Sequence, residues 1–231
     1  GVHRDGGYAE YVSLPVENFL HIPTGLSYEA AAMATDAVNT NWHCMKERAK
    51  VNPHDQVLLI GAGGGVGIHG VQVAKAFGAR VIAMDVSDEK LELAKQWGAD
   101  EVIHVKKEKD LVAAVKKLTD GRGVDAAVDY VGHAQTFQVA YDSLTTSGRA
   151  VVIGVGKGDI QIPTRPLMLT EKTITGSRHS TRTELIETME VMARGLVKPV
   201  IGMRRHFTEV ETIFDEIVAE KLLGRAALTY E

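Results

Sequence analysis

A single cysteine, Cys44, is present among 231 residues. That excludes an internal disulfide framework and any multi-cysteine zinc cluster. So few thiols suit a reducing compartment, and a cytoplasmic location is expected. No apolar stretch approaches the roughly 18 residues of a membrane span, and no signal-peptide pattern opens the chain. No membrane partner is therefore expected. Positive charge is not in excess either: 26 Lys and Arg face 30 Asp and Glu, for a net charge of −4. A basic footprint for nucleic acid or acidic lipid is missing. Internal repeats and low-complexity segments are missing too. The charged fraction of 24% and hydrophobic fraction of 45% are ordinary for a globular protein. The chain is long for one domain and short for two. It starts at Gly1 without a methionine, so a processed, truncated or incompletely reported chain is expected.

What is present is concentrated between residues 56 and 85. Gln56-Val57-Leu58-Leu59-Ile60 is an apolar run of the kind a fully buried strand presents. It leads straight into Gly61-Ala62-Gly63-Gly64-Gly65-Val66-Gly67, then into a helical pattern (Ile68, Val71, Ala74, Phe77) closed by Gly78. A second apolar run, Val81 to Met84, ends in Asp85. Strand, glycine turn, helix, strand and terminal acid in this order form the dinucleotide-binding unit. Glycines let backbone N–H groups approach a pyrophosphate at a helix N-terminus, where orphan donors and the helix dipole favour negative charge. Asp85 is placed to accept hydrogen bonds from an adenosine ribose. A carboxylate there repels a 2′-phosphate, so NAD is expected over NADP. The alternative for the turn is a ligand-free strand-to-helix connection, and for Asp85 an ordinary polar strand end.

The strand–helix alternation continues. Ser87 caps a helix through Leu91, Ala94 and Trp97, and a short strand follows at Val102–Val105. A helix over 109–118, a strand over Val124–Val128 and a helix from about 134 to 144 come next. Strands at Ala150–Ile153 and Lys172–Thr175 complete six, with crossovers long enough for parallel pairing. The expected fold class is α/β: a doubly wound parallel sheet whose ligands bind outside the carboxyl ends of the strands. The ends of the chain do not belong to that pattern. Residues 7–25 read as short strands broken by prolines, Ser27 to Lys50 as a helical stretch, and Thr183 to Leu196 as a helix. A strand near 200–207, a helix near 208–222 and a strand over 225–230 finish the chain. The layout is an insertion, a parallel-sheet domain interrupting a second domain whose pieces flank it.

That layout and its words resemble the medium-chain dehydrogenase/reductase family, the zinc-type alcohol dehydrogenases and their quinone-reductase relatives. Asp5-Gly6-Gly7-Tyr8-Ala9-Glu10-Tyr11 resembles the opening of the family's last catalytic-domain strands. Gly61 to Gly67 with Gln72-Val73-Ala74-Lys75 resembles its coenzyme turn and helix. Gly98-Ala99-Asp100 resembles a turn before its third coenzyme strand, and Gly224-Arg225-Ala226-Ala227-Leu228 its closing strand. The resemblance implies remnants of a GroES-like catalytic domain at 1–37, a dinucleotide-binding Rossmann domain at 38–175 and a returning catalytic-domain segment at 176–231. It also implies that roughly the first hundred residues of such an enzyme are absent, including two catalytic zinc ligands and the proton-relay hydroxyl. One departure lies in the turn, where a six-residue frame ending at Gly67 puts Ala62 at its first position.

Carried over residue by residue, the resemblance assigns coenzyme contacts to Gly61, Gly63, Gly64, Gly65, Val66 and Gly67. Val66 would press on the nicotinamide, with Thr40 nearby as a catalytic-site residue. Asp85 and Lys90 would hold the ribose. Val131, Ile153, Gly154 and Val155 would line the coenzyme pocket, with Gly176 and Ser177 across from them. Arg225 would reach the pyrophosphate, although Lys90 and Arg225 read equally well as solvated charges. Asp36 occupies the place of the third catalytic zinc ligand; the alternative is a helix cap. A lone carboxylate falls short of a zinc ligand set, so in this chain alone Asp36 could not hold the metal. No histidine shows ligand spacing: His43 beside Cys44 points about 100° away from it on a helix. His3, His21, His104, His133, His179 and His206 are assigned to no site.

The implied function is NAD-dependent oxidation of an alcohol, or carbonyl reduction, assisted by zinc in the complete enzyme. The alternatives are a zinc-free quinone or enoyl reductase on the same fold, and a coenzyme-binding module without turnover. A homodimer or homotetramer is expected, pairing along the outer part of the sheet. The strand at 150–155 and the alternating segment Asp159-Ile160-Gln161-Ile162-Pro163 are read as that outer part.

Overall fold

The computed structural model describes residues 5–219 and 221–230. The expectations for Gly1 to Arg4, His3 among them, lie outside the described residues. Ser27 opens the first long helical stretch, its side chain accepting the Ala30 N–H at 3.2 Å. The stretch runs unbroken as α1 (Tyr28–Met33), a π turn (Ala34–Val38), α2 (Asn39–His43) and a second π turn (Cys44–Arg48). It agrees with the helix expected from Ser27 to Lys50. The π turns are a local detail that periodicity does not carry.

The parallel sheet follows as β1 (Gln56–Ile60), α3 (Gly67–Ala76), β2 (Arg80–Asp85), α4 (Asp88–Gln96), β3 (Glu101–His104), α5 (Leu111–Leu118), β4 (Val124–Asp129), α6 (Ala134–Asp142), β5 (Leu144–Val152), α7 (Thr164–Leu169) and β6 (Thr173–Gly176). The strands lie in the order β3-β2-β1-β4-β5-β6, all pairs parallel. The order reverses between β1 and β4, which leaves a crevice at their carboxyl ends, the place where doubly wound sheets bind ligands. Val57, Leu58, Leu59 and Ile60 are all buried because both faces of β1 are covered. Leu59 and Val57 belong to a core with α3 and the helix of residues 28–48, while Leu58 and Ile60 pack with α5 and α6. After β6 come α8 (Arg182–Ala193), β7 (Ile201–His206), α9 (Val210–Val218) and β8 (Arg225–Thr229), with β7 and β8 paired parallel in a separate two-stranded sheet.

Two expectations are corrected. Residues 7–25 hold one 3₁₀ turn, Val16–Asn18, and no strand. Their N-terminal part is exposed, with Tyr8 and Tyr11 open to solvent, and no strand among the described residues runs alongside to complete a ladder. The segment 159–163 is likewise not a strand. The sheet's edge there is β6, and Ile162 folds back onto the core between sheet and α6 while Ile160 stays exposed. Among the described residues no helix is long and apolar enough to cross a membrane.

Candidate functional site

The glycine turn leaves β1 at its carboxyl end. Gly61 has φ +78°, a conformation that L side chains rarely adopt. Its N–H and that of Ala62 both bond to the Met84 carbonyl, at 2.8 and 3.2 Å, which pins the turn to β2. Gly63 sits directly against Lys90 of α4: a Cβ there would lie 2.9 Å from both the Cα and the carbonyl oxygen of Lys90. On the next strand Asp85, nearly fully buried, accepts the Gly63 N–H at 2.9 Å through one oxygen and the Val86 N–H at 2.7 Å through the other. Its carboxylate fixes the turn against β2 while remaining at the tip of the strand.

At the start of α3 the Gly64 N–H bonds back to Gly61 and the Ile68 N–H to Gly64, at 3.2 and 2.9 Å. Among the described residues the N–H groups of Gly65, Val66 and Gly67 find no acceptor. Three free donors at the N-terminus of a three-turn helix are a ready-made anion site. Arg225 lies over them, since a Cβ on Gly65 would come within 2.9 Å of its Cδ. The donor set and the cation together fit a pyrophosphate, the group through which a dinucleotide would be held.

The other strand ends converge on the same edge. Asp129, at the end of β4, accepts the Val131 N–H at 2.8 Å and the Gly132 N–H at 3.1 Å through its side chain. Its carbonyl takes the N–H groups of Ile153 and Gly154 at 2.9 and 3.0 Å. Gly132, at φ +76°, lets the segments 131–133 and 154–156 pack backbone to backbone. Val131 reaches Gly61, and Val155 is fully exposed. At the end of β6 Gly176 is open, and the next residue, Ser177, is buried, its N–H held by the Val152 carbonyl at 2.9 Å. Every sequence-assigned coenzyme residue thus lies on the carboxyl edge of the sheet or, for Lys90 and Arg225, packs against the turn there.

Asp36 sits inside the first π turn and caps nothing; the N-cap of its helix is Ser27. One oxygen accepts the Thr40 hydroxyl at 3.2 Å and the other the Arg225 guanidinium. His179 approaches to 3.9 Å. Asp36, Thr40 and Arg225 are thereby brought together, but no group of three His, Cys, Asp or Glu able to hold a metal exists among the described residues. The residues present do not make a zinc site.

Several polar groups below the site carry no ready sequence signal. Asn41 donates to the Val66 carbonyl at 2.8 Å and accepts the Tyr130 hydroxyl at 2.5 Å. Burial raises Tyr130 well above its ordinary value, so it stays a donor. Gly70 makes room for this pair, as a Cβ there would meet Asn41 Oδ1 at 2.8 Å. His43 bonds Glu184 at 2.9 Å and takes a bond from Arg48 at 3.2 Å. Burial opposes ionisation of Glu184, but bonds from Thr181 and His43 hold its carboxyl below the usual range. Burial pushes the Cys44 thiol up to about 12, which makes it an inert core group. His69 is fully buried between the turn and residue 200.

Comparison with known proteins finds relatives along nearly the whole chain. A family model described as zinc-binding dehydrogenase matches residues 65–194. An NAD-dependent alcohol dehydrogenase of Saccharolobus solfataricus is 32% identical over 229 residues, covering 99% of this chain and 65% of that protein. An alcohol dehydrogenase of Geobacillus stearothermophilus is 35% identical over 228 residues, covering 99% of this chain and 66% of that protein. The chain therefore spans just under two thirds of the length of these curated relatives. The structure of acetophenone reductase from Geotrichum candidum in complex with NAD superposes with a TM-score of 0.83 at 30% identity, covering 97% of this chain and 62% of that one.

Proposed function

The chain belongs to the zinc-binding dehydrogenase family, and from that premise we propose that it is the coenzyme-binding part of an NAD-dependent alcohol dehydrogenase-type oxidoreductase. The observation that carries the reading is the turn itself: three free N–H donors at the start of α3, roofed by Arg225 and braced by Asp85. The NAD complex of a relative supports the same cofactor. When bound, NAD supplies the hydride acceptor for an alcohol, or in reduced form the donor for a carbonyl.

The chain's own residues bind and orient. Gly65, Val66 and Gly67 would donate to the pyrophosphate, with the Arg225 guanidinium neutralising it from above. Asp85 would accept from the adenosine ribose and disfavour a 2′-phosphate, with Lys90 beside it. Val66 is fixed from below by Asn41, so its side chain would press on a nicotinamide lying toward Ile153, Gly154, Val155, Gly176 and Ser177. Thr40 would bound the same space. Zinc enters the reading only through the family. Asp36 offers at most one ligand and is engaged by Arg225 and Thr40, so no step is assigned to a metal here. The proposed divisions at 37–38 and 175–176, a small-molecule alcohol or carbonyl as partner, a cytoplasmic setting and homo-oligomeric assembly rest on the same family reading.

The test uses a longer version of the protein that includes the region its relatives carry. Primary and secondary alcohols are offered with NAD, and enones with NADPH. NAD-dependent alcohol oxidation is the expected result. Enone reduction with NADPH and no alcohol oxidation would instead identify a quinone or enoyl reductase.

A further inference from the structure

One fully buried polar side chain near the turn has no role in either the family match or the coenzyme reading. His69 lies in the first turn of α3 with no solvent exposure. Its Nδ1 is 2.8 Å from the Gly65 carbonyl, and its Nε2 is 3.0 Å from the Val200 N–H. A backbone N–H can only donate, so Nε2 accepts and the proton resides on Nδ1, which donates to Gly65. Both ring nitrogens are satisfied by one neutral tautomer. Burial favours that form and brings the imidazole down to about 4, against the pull of the Gly65 bond.

The two partners of His69 belong to different parts of the site. Gly65 is in the turn, at the base of the three free donors. Val200 precedes β7, and its carbonyl accepts the Arg225 N–H at 2.9 Å. Gly224, at φ +75°, brings this strand start so close that a Cβ on Gly65 would meet the Gly224 carbonyl at 2.9 Å. One turn along α3, Gln72 grips the same segment in both directions, donating to the Lys198 carbonyl and accepting the Lys198 N–H, each at 2.9 Å. A single helix face therefore holds 198–200 through His69 and Gln72, and 200 in turn holds the backbone of Arg225.

We propose that His69 is a positioning residue for the coenzyme pyrophosphate, tying the donor turn at Gly65 to the Val200–Arg225 segment so that the N–H donors and the guanidinium stay on the two sides of one anion. The proposal rests on the coenzyme reading above and deepens it. It commits to the diphosphate as the chemical group sensed, since neither contact of His69 lies on the Asp85 side of the turn.

Two conservative variants separate the two bonds. His69→Asn places an amide near the Nδ1 position and reaches only Gly65; His69→Gln places one near Nε2 and reaches only Val200. Affinity is measured by calorimetry for NADH, ADP-ribose and AMP, alongside Arg225→Met and the double variants. The expected result is a tenfold or greater loss for NADH and ADP-ribose in each single variant, with AMP changed less than twofold. The loss is expected to shrink to less than threefold when Arg225 is already Met, because His69 acts through it. Equal losses for AMP and NADH, or full additivity with Arg225→Met, would reduce His69 to a core residue and overturn the proposal. Native-like NADH affinity in both His69 variants would overturn it as well. A failure of the unmodified protein to bind NADH would instead defeat the coenzyme reading. Should the His69 variants not fold, Gln72→Ala, which releases Lys198 from the same face, is held to the same NADH-against-AMP contrast.

Discussion

Gly63→Ala is the sharpest steric perturbation of the turn. The added Cβ would stand 2.9 Å from the Lys90 Cα and 2.9 Å from the Lys90 carbonyl oxygen, and would overlap the Lys90 Cβ. These atoms belong to the backbone and stem of a residue within α4, so no rotamer change removes them. Either the turn or the helix must move, and the turn is held by the Gly63–Asp85 bond at 2.9 Å. Overpacking of this kind costs about 1–3 kcal/mol. Loss of a bond to a carboxylate adds roughly 1.5–3 kcal/mol if the turn is what yields. A total of about 2.5–6 kcal/mol corresponds to a melting point lowered by roughly 5–24 °C in a chain of this size. Gly64→Ala is the internal control, because its Cβ would meet only the Gly61 carbonyl, at 3.3 Å. Urea unfolding and thermal melts of both variants decide the matter, with NADH titration on whatever remains folded. If Gly63→Ala is as stable as Gly64→Ala and binds NADH normally, the contact between turn and α4 does not constrain the site as argued.

Other outcomes follow from individual residues. Asp85→Ser combined with Val86→Arg should move the coenzyme preference toward NADPH by on the order of 10- to 100-fold, since a charge is reversed near the ribose and Val86 is partly exposed; parallel titrations with the two reduced coenzymes measure it. His69 should impose a pH dependence on stability. Its ordinary value is 6.5 and burial lowers it to about 4 in the fold. Between those values the unfolded chain takes up a proton that the folded chain refuses, so stability falls as pH drops from about 6.5 to about 4, by roughly 3 kcal/mol. Arg225, which opposes protonation, and Asp36, which favours it, are the charged groups that act on His69. Urea midpoints across that range should lose this component in His69→Gln; an unchanged slope would remove burial as its cause. Finally, this chain given NAD, zinc salt and a panel of alcohols should produce no NADH absorbance, because no three metal-ligating groups come together among the described residues and Asp36 is already paired with Arg225 and Thr40.

The parallel sheet was legible because its strands are covered on both faces and read as apolar runs such as Val57 to Ile60, each followed by a helix of recognisable period. Where a strand is polar, that signal fails. β5 begins at Leu144, but its exposed stretch around Thr146 and Ser147 hid all but the apolar end from Ala150 onward. Residues 7–25 show the converse error, since β-forming side chains without a neighbouring strand do not build a sheet. The donor turn and Asp85 were legible through local spacing. The partner of Asp36 was not, because Arg225 lies 189 positions away and nothing local announces the pairing. His69 was missed because one histidine on an apolar helix face reads as core. The available signal was Gln72 one turn further on, a second polar group aimed the same way.

Residues 61–67, Asp85 and Arg225 are proposed to form a site for NAD. Isothermal titration of the chain with NADH and, in parallel, NADPH tests it most directly. One saturable NADH site per chain is expected, with NADPH bound at least tenfold more weakly. Equal affinity for the two would contradict the role of Asp85, and no binding of either would contradict the claim itself.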